Sequence, residues 1–324
     1  MEITKLMKVL SSYVGTKPVG KYVVFQFQDG GLYTMTSDEE SLMQVHLQAA
    51  DMQQDEISTL VIEPSQLKEL TSHMRHNSKC RIFEDTISVG KFSTKMTRMR
   101  DPISLMKETD GEKFEVDFKK LDESFSKVVA FTRPINDMYN VKLFKNAIRL
   151  YDIVATMDIQ VPQLMDYEYT VAFKYRPFTH VMNALHVIQP DILTFTIVHQ
   201  IHSKWYCIVN AYASDCGAKF ILDCKVDRSA DSKPEIIGTV DLSELKNVEQ
   251  TSKLVFTIDD NLNVFTMDEK LITSKPIDKK LPKSSINWII STYKLKFLDL
   301  NEVTIGIWSG AMVISDSEKQ ITVM

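Results

Sequence analysis

Residues 15–22, GTKPVGKY, come close to the phosphate-cradling pattern GxxxxGK[ST]. That pattern works where a strand enters the glycine loop and a helix leaves it, so that the first helical amides face the phosphates. Here an amphipathic helix pattern precedes the loop and a strand pattern follows it. Tyr22 also replaces the Ser or Thr that would hold magnesium. The segment reads as a helix-to-strand loop. His199 and His202 lie three apart in a strand pattern, which turns them to opposite faces and away from a shared metal. His73 and His76 stand beside Arg75 and Lys79 and read as a polar, basic helix end. Cys80, Cys207, Cys216 and Cys224 form no CxxC pair, so neither a zinc site nor a redox motif is expected. There is no GxSxG elbow, and the carboxylate runs Asp38-Glu39-Glu40 and Asp122-Glu123 lie in polar stretches as solvated charge. The expectation is a binding protein with no catalytic residues, no metal and no cofactor.

What remains must be carried by surfaces, and hence by the elements that build them. The 324 residues, 44% hydrophobic and 25% charged, have globular composition and length for two or three domains. No run reaches the ~18 apolar residues of a membrane span. The N-terminus lacks the pattern of a cleaved leader. Scattered, unpaired cysteines fit a reducing cytosol.

Period-two alternation marks strands at residues 21–28, 31–36, 194–201, 253–258 and 303–308, with turn signals at Asp29-Gly30-Gly31, Asp110-Gly111 and Asp259-Asp260-Asn261. Six short amphipathic helices recur, each after a strand-like lead and a cap or breaker. Their apolar faces are Leu6, Val9, Leu10 and Tyr13, with Thr4 as cap; Leu67, Leu70 and Met74; Leu121, Phe125, Val128 and Val129; Phe178, Val181, Met182 and Leu185; Leu242, Leu245 and Val248; and Ile286, Ile289, Ile290 and Tyr293. Starts roughly 50 to 65 residues apart point to a repeated unit of one helix and three or four strands. Two units make a core of about 110 residues. Six make three domains, at 1–110, 111–230 and 231–324, with residues 227–233 (DRSADSK) as a linker.

Charge is partitioned along this repeat. Segments 4–13, 65–79 and 174–189 each carry +2, 117–130 carries 0, 241–250 carries −2 and 283–297 carries +3. Together they hold +7 in a chain of net charge −5, leaving −12 elsewhere. Cations gathered on short helices suit a surface that meets phosphates without reading bases. Lysine also favours solvated helix faces for propensity alone.

Six helix-plus-strands units, paired into three domains with basic helices and acidic strands, resemble the bacterial DNA polymerase III beta subunit family, the sliding clamps of cells and phages. Residues 287–324 (NWIISTYKLKFLDLN, then EVTIGIWSGAMVISDSEKQITVM) resemble that family's last helix, a strand, a Ser/Gly turn, another strand and a hydrophobic final strand. GLYTMTSDEESLMQVHL and ISVGKFSTKMTRMRDPISL resemble its first-domain strands, and RLYDIVATMDIQV a segment beside its partner-binding cleft. The resemblance implies an α+β DNA-clamp fold closed into a ring by a head-to-tail homodimer, a trimer being the other closure. It implies sequence-independent passage of double-stranded DNA past Lys5, Lys8, Lys68, Arg75, Lys79, Lys120, Lys127, Lys174, Arg176, Lys294 and Lys296. It further implies a hydrophobic cleft for polymerase and clamp-loader peptides, lined by Ile153, Val154, Thr156, Met157, Thr322, Val323 and Met324. Its setting would be the cytoplasm of a bacterium, or of a host if phage-encoded. A viral structural or assembly scaffold of α+β repeats would share the lack of catalytic motifs.

Overall fold

The structure, a computed structural model, describes residues 3–14, 22–28, 31–37, 41–48, 58–74, 79–100, 102, 104–107, 109–131, 139–152, 155–199, 205–214, 216–228, 234–249, 252–279 and 287–324. Helix α1 (Ile3–Val14) buries Leu6, Met7, Val9, Leu10 and Tyr13, the stripe that its spacing predicts. Thr4 is not its cap. It lies inside the helix, and its Oγ1 accepts the Cys80 amide at 3.3 Å. Strands β1 (Val23–Gln28), β2 (Gly31–Ser37), β3 (Ser41–Gln48) and β4 (Ser58–Ile62) lead to α2 (Pro64–Ser72). This helix starts with Pro64 and a capping box between Glu63 and Gln66, and ends earlier than its apolar pattern suggested. Short strands β5 (Cys80–Phe83), β6 (Thr86–Val89), β7 (Phe92–Lys95), β8 (Thr97–Met99) and β9 (Glu112–Glu115) precede α3 (Phe118–Phe131). Asp117 Oδ1 caps α3 by accepting the Lys120 amide at 3.0 Å.

Strands β10 (Asn140–Phe144), β11 (Ala147–Tyr151), β12 (Ala155–Gln160) and β13 (Thr170–Lys174) run into α4 (Tyr175–Ile188). Next come β14 (Ile192–His199), β15 (Trp205–Ala213), β16 (Cys216–Asp227) and β17 (Glu235–Val240). The fifth expected helix is a single 3-10 turn, Ser243–Asn247, opened by Asp241 Oδ1 accepting the Ser243 amide. Then follow β18 (Lys253–Ile258), β19 (Asn261–Thr266), β20 (Leu271–Pro276), β21 (Trp288–Ser291), α5 (Thr292–Leu295), β22 (Val303–Trp308), β23 (Ala311–Ser315) and β24 (Lys319–Val323).

The sixth expected helix is largely a strand. Trp288 and Ile290 are buried opposite Phe256 and Leu254 of β18, while Ile289 is exposed. Tertiary pairing recruits the β-branched Ile289-Ile290 into a ladder and leaves one helical turn, α5. Ile286 lies outside the described residues.

Two compact units result, and they interleave in sequence. The first holds Met1–Asp122, Met165–Tyr167 and Val171–Val226; the second holds Glu123–Leu164, Glu168–Thr170 and Asp227–Met324. In the first unit an antiparallel sheet runs β8-β4-β1-β2-β3-β16-β15-β14-β9. Tyr13 fixes α1 on it by donating to Ser41 Oγ of β3 at 2.7 Å and by lying 6.0 Å from the Phe220 ring of β16. Gly111 is dictated by packing at the start of β9, because a Cβ there would meet the Ile197 carbonyl oxygen of β14 at 2.4 Å. In the second unit the antiparallel order is β10-β11-β12-β24-β23-β22-β17, and a separate sheet runs β20-β19-β18-β21. One face of its larger sheet is apolar, with Val141, Leu150, Met157, Ile321, Ile314 and Ile305 buried in one cross-strand row.

Candidate functional site

The cationic residues fall into distinct settings. In the first unit, α1 packs beside α2 through Ser11 and Thr71, whose hydroxyls are 3.0 Å apart. It packs beside α4 through Tyr13 and His180, whose rings are 6.1 Å apart. The apolar stripes face inward, so polar positions of the three helices point out of one layer. Lys8 and Lys174 are exposed there, Lys5, Lys68 and Arg176 half-buried, and burial lowers the Lys68 pKa. Lys79 is exposed just before β5, and Arg75 lies outside the described residues. On α3, Lys127 is exposed and Lys120 turns back to Asp117, 3.5 Å away.

In the second unit, Lys296 is exposed with its Nζ 3.9 Å from the Tyr293 ring centroid. Lys294 is different. It is half-buried; desolvation lowers its pKa, while the charge of Asp152 acts the other way. Lys294 is thus less solvated than Lys296.

By helix, α1 carries +2, α3, α4 and α5 carry +1 each, and α2 and the 3-10 turn are neutral. The excess of positive charge on the helices thus survives the loss of most of the sixth helix. Among the described residues, no group of three His, Cys, Asp or Glu could hold a metal. Also among them, no helix is long and apolar enough to cross a membrane. His199 sits exposed at the end of β14 with its ring 4.5 Å from Trp205, and His202 lies outside the described residues. Helix α1 ends and β1 begins on either side of residues 15–21, the helix-to-strand order that the glycine loop implied.

The two chain segments expected to wall a cleft, far apart in sequence, are neighbours in the second unit. Strand β12 pairs with β24 so that Ala155 faces Val323, Thr156 faces Thr322 and Met157 faces Ile321. Ile153 and Val154 lie outside the described residues. Thr322 and Val323 are 4% and 2% exposed, held in the ladder between β12 and β23, while Met324 beyond them is 69% exposed. The Met324 side chain is therefore the part of this C-terminal segment that a ligand can reach.

Residues that sequence reasoning missed border this end of the sheet. Asp152 closes the turn into β12: its Oδ1 accepts the Ala155 amide at 2.7 Å and its own amide donates to the Ala155 carbonyl at 3.0 Å. Tyr139 is buried, and Tyr293 donates its hydroxyl to the Ala130 carbonyl at 2.8 Å. The Asp-x-x-Ala spacing was the available signal for the turn; nothing local marked Tyr139, while Tyr293 was expected on the sixth helix and lies in its remaining turn, α5.

Burial, with the charge and hydrogen bond of Asp152 adding to it, pushes the Tyr139 hydroxyl up to about 12. The unfolded chain releases that proton near about 10. Stability from this group is therefore complete below the unfolded value and lost as pH climbs through the folded one. Lys294 works in the opposite sense: the penalty on its charged form fades as pH approaches the ordinary lysine range. Melting curves between about pH 10 and 12 should show wild type losing more stability than Tyr139→Phe, and parallel curves would refute the assignment.

No family model matches this chain, and no curated protein matches it. Solved structures do, over its whole length. The DNA polymerase III beta subunit of Thermotoga maritima is 16% identical with TM-score 0.63, covering 100% of this chain and 96% of that one. The DNA polymerase sliding clamp of Bacillus subtilis is 12% identical with TM-score 0.60, covering 99% and 96%. The Helicobacter pylori beta clamp bound to a DNA ligase peptide is 11% identical with TM-score 0.59, covering 99% and 97%. The likeness is one of fold.

Proposed function

We propose that this chain, which has the fold of a DNA polymerase III beta sliding clamp, is a non-catalytic processivity factor that encircles duplex DNA and tethers a polymerase to it. The observation that carries the reading is coverage: near-complete chains superpose on near-complete clamps, so the likeness is to the whole clamp architecture. The positive charge on the helices of a net acidic chain supports it. In this reading the domains are 1–110, 111–230 and 231–324, and two chains close a ring head to tail. Phosphates pass Lys5, Lys8, Lys68, Arg75, Lys79, Lys120, Lys127, Lys174, Arg176, Lys294 and Lys296. The DNA is held loosely, through water, so retention comes from topology and not from affinity. The site of action is the cytoplasm, bacterial or that of a phage host.

Polymerase and clamp-loader peptides would bind in a cleft of Ile153, Val154, Thr156, Met157, Thr322, Val323 and Met324, with exposed Met324 as the contact and Met157, Thr322 and Val323 as the buried wall behind it. A ligase peptide on the Helicobacter pylori clamp fits the same mode of use. The decisive experiment loads the protein on nicked circular DNA and then linearises the circle. Retention before and release after is expected; equal retention on both would end the clamp reading.

Exposure separates two roles at the C-terminus. Removing Met324 alone should leave the melting temperature unchanged and weaken polymerase stimulation roughly tenfold, the equivalent of ~1.4 kcal/mol of binding free energy. Removing Val323 as well should also destabilise the second unit, by about 1.5–3 kcal/mol for a buried aliphatic side chain. Full stimulation by the chain lacking Met324 would place the peptide elsewhere.

A further inference from the structure

The polar face of the β10-β11-β12-β24 sheet carries a row of residues in direct cross-strand register: Lys142, Arg149, Asp158 and Gln320. Arg149 clamps Asp158 with two bonds, Nε to Oδ1 at 2.6 Å and Nη2 to Oδ2 at 2.9 Å. The two side chains are 16% and 7% exposed. Arg149 also lies over the Phe144 ring, 4.8 Å from its centroid, and Lys142 pairs with Asp227 at 3.2 Å. Asp158 Oδ2 then accepts a bond from Gln320 Nε2 on β24 at 3.3 Å. Two residues further along each strand, on the same face, stand Tyr151, Thr156 and Thr322. The charged row is thus one step from the proposed cleft.

Apolar patterning does not by itself fix this register. A slip of one residue would turn the apolar residues of β24 to the wrong face. A slip of two keeps every face. It would set Met157 against Val323 and Ile159 against Ile321, in place of the observed Met157 against Ile321 and Ile159 against Lys319. On hydrophobic matching alone, the slipped pairing is no worse. The β23–β24 turn adds an anchor at its own end: besides the Glu318 and Lys319 amides at 2.8 and 2.7 Å, Asp316 accepts the Asp299 amide at 2.8 Å, and the Gln160 amide of β12 donates to the Glu318 carbonyl at 2.8 Å. Along the β12–β24 ladder itself, the side-chain bond that the slip loses is the one from Gln320 to a buried carboxylate, which would face Thr322 instead. It would also carry Met324 about 7 Å along β12, to a place opposite Thr156.

We propose that Arg149, Asp158 and Gln320 are positioning residues that hold the C-terminal strand in the one register that seats Met324 at the mouth of the peptide cleft. Arg149 orients the Asp158 carboxylate, and the carboxylate selects Gln320 from β24. The role in partner binding rests on the clamp reading; the register itself does not.

The test reads the two separately. In the full-length chain, Thr156→Cys/Thr322→Cys reports the observed register by disulfide trapping, and Thr156→Cys/Met324→Cys reports the two-residue slip. The expected result is trapping of the first pair in the otherwise native chain, and transfer of yield to the second when Gln320→Glu sets a like charge against Asp158. Gln320→Lys, which offers Asp158 a cation, should keep the first pair. Should Gln320→Glu fail to fold, Gln320→Leu removes the bond without adding a charge, and the same transfer is expected. Unchanged trapping of the first pair in Gln320→Glu or Gln320→Leu overturns the proposal.

Polymerase stimulation on primed circles is then measured with the register variants that carry no added cysteine. It should fall for Gln320→Glu and persist for Gln320→Lys, while retention on nicked circles holds for both. A shifted register with full stimulation overturns the link to the cleft and leaves the clamp reading intact. Loss of circle retention by the unaltered chain sinks the clamp reading whatever the register does.

Discussion

Asp158→Ala is expected to destabilise the second unit by about 3 kcal/mol, because it removes one partner of a bidentate ion pair whose side chains are 16% and 7% exposed. The ion pair itself is not the source of that stability. Taking both charges out of water offsets much of their attraction, so replacing the pair with apolar side chains of similar volume, as in Arg149→Met/Asp158→Leu, should cost little. The asymmetry separates a pair kept for stability from one kept for specificity. Denaturant unfolding of the three chains checks it: a large loss for the single variant, with near-complete recovery in the double, is the expected pattern. A double variant as unstable as the single would mean that packing around the pair matters more than its charge. Register trapping of the double variant adds a second reading, since Asp158→Leu removes the acceptor that selects Gln320. Its stability should return while its strand pairing becomes mixed.

Charge reversal on α1, on α3 and at the start of α4 gives the second large effect. Lys8, Lys127 and Lys174 are exposed, so Lys→Glu at all three changes the charge by six per chain without burying a carboxylate. If each lysine neutralises a phosphate, the dependence of log affinity on log salt should flatten by about 0.9 for each phosphate no longer neutralised, close to 3 per chain. DNA loading near physiological salt should fall by orders of magnitude, while the melting temperature and the oligomer persist. A salt slope equal to wild type would remove these lysines from the DNA surface. Lys294 makes a poor member of such a set. It is half-buried and feels the charge of Asp152, so Glu at that position would add a like charge in a half-buried site and confuse local unfolding with weakened DNA binding.

The class of fold and the sides of its main helices were legible in the sequence, because helix and strand periods are local. Leu6, Val9, Leu10 and Tyr13 are spaced for one helix face and are buried on one, and Leu121, Phe125 and Val128 repeat the case on α3. The Asp117 and Asp241 caps were readable for the same reason, since donor and acceptor stand within three residues of each other. Local rules failed where a distant strand overrode them. Residues 286–293 carry helical spacing, yet Ile290 pairs with Leu254 and Trp288 with Phe256, and the helix shrinks to one turn.

The site divides along the same line. By itself the sequence determined which residue types were present and that the short helices held excess positive charge; a cleft between two of its segments was an expectation from resemblance. Tertiary structure alone decided that those segments lie side by side, that Lys294 is half-buried while Lys8 is exposed, and that Met324 is the exposed residue beyond the buried Ile321–Val323. The reason is that pairing between segments so far apart in the chain depends on loop closure and on register. Neither leaves a trace in local spacing: Arg149, Asp158 and Gln320 look like ordinary strand polar residues until the sheet aligns them.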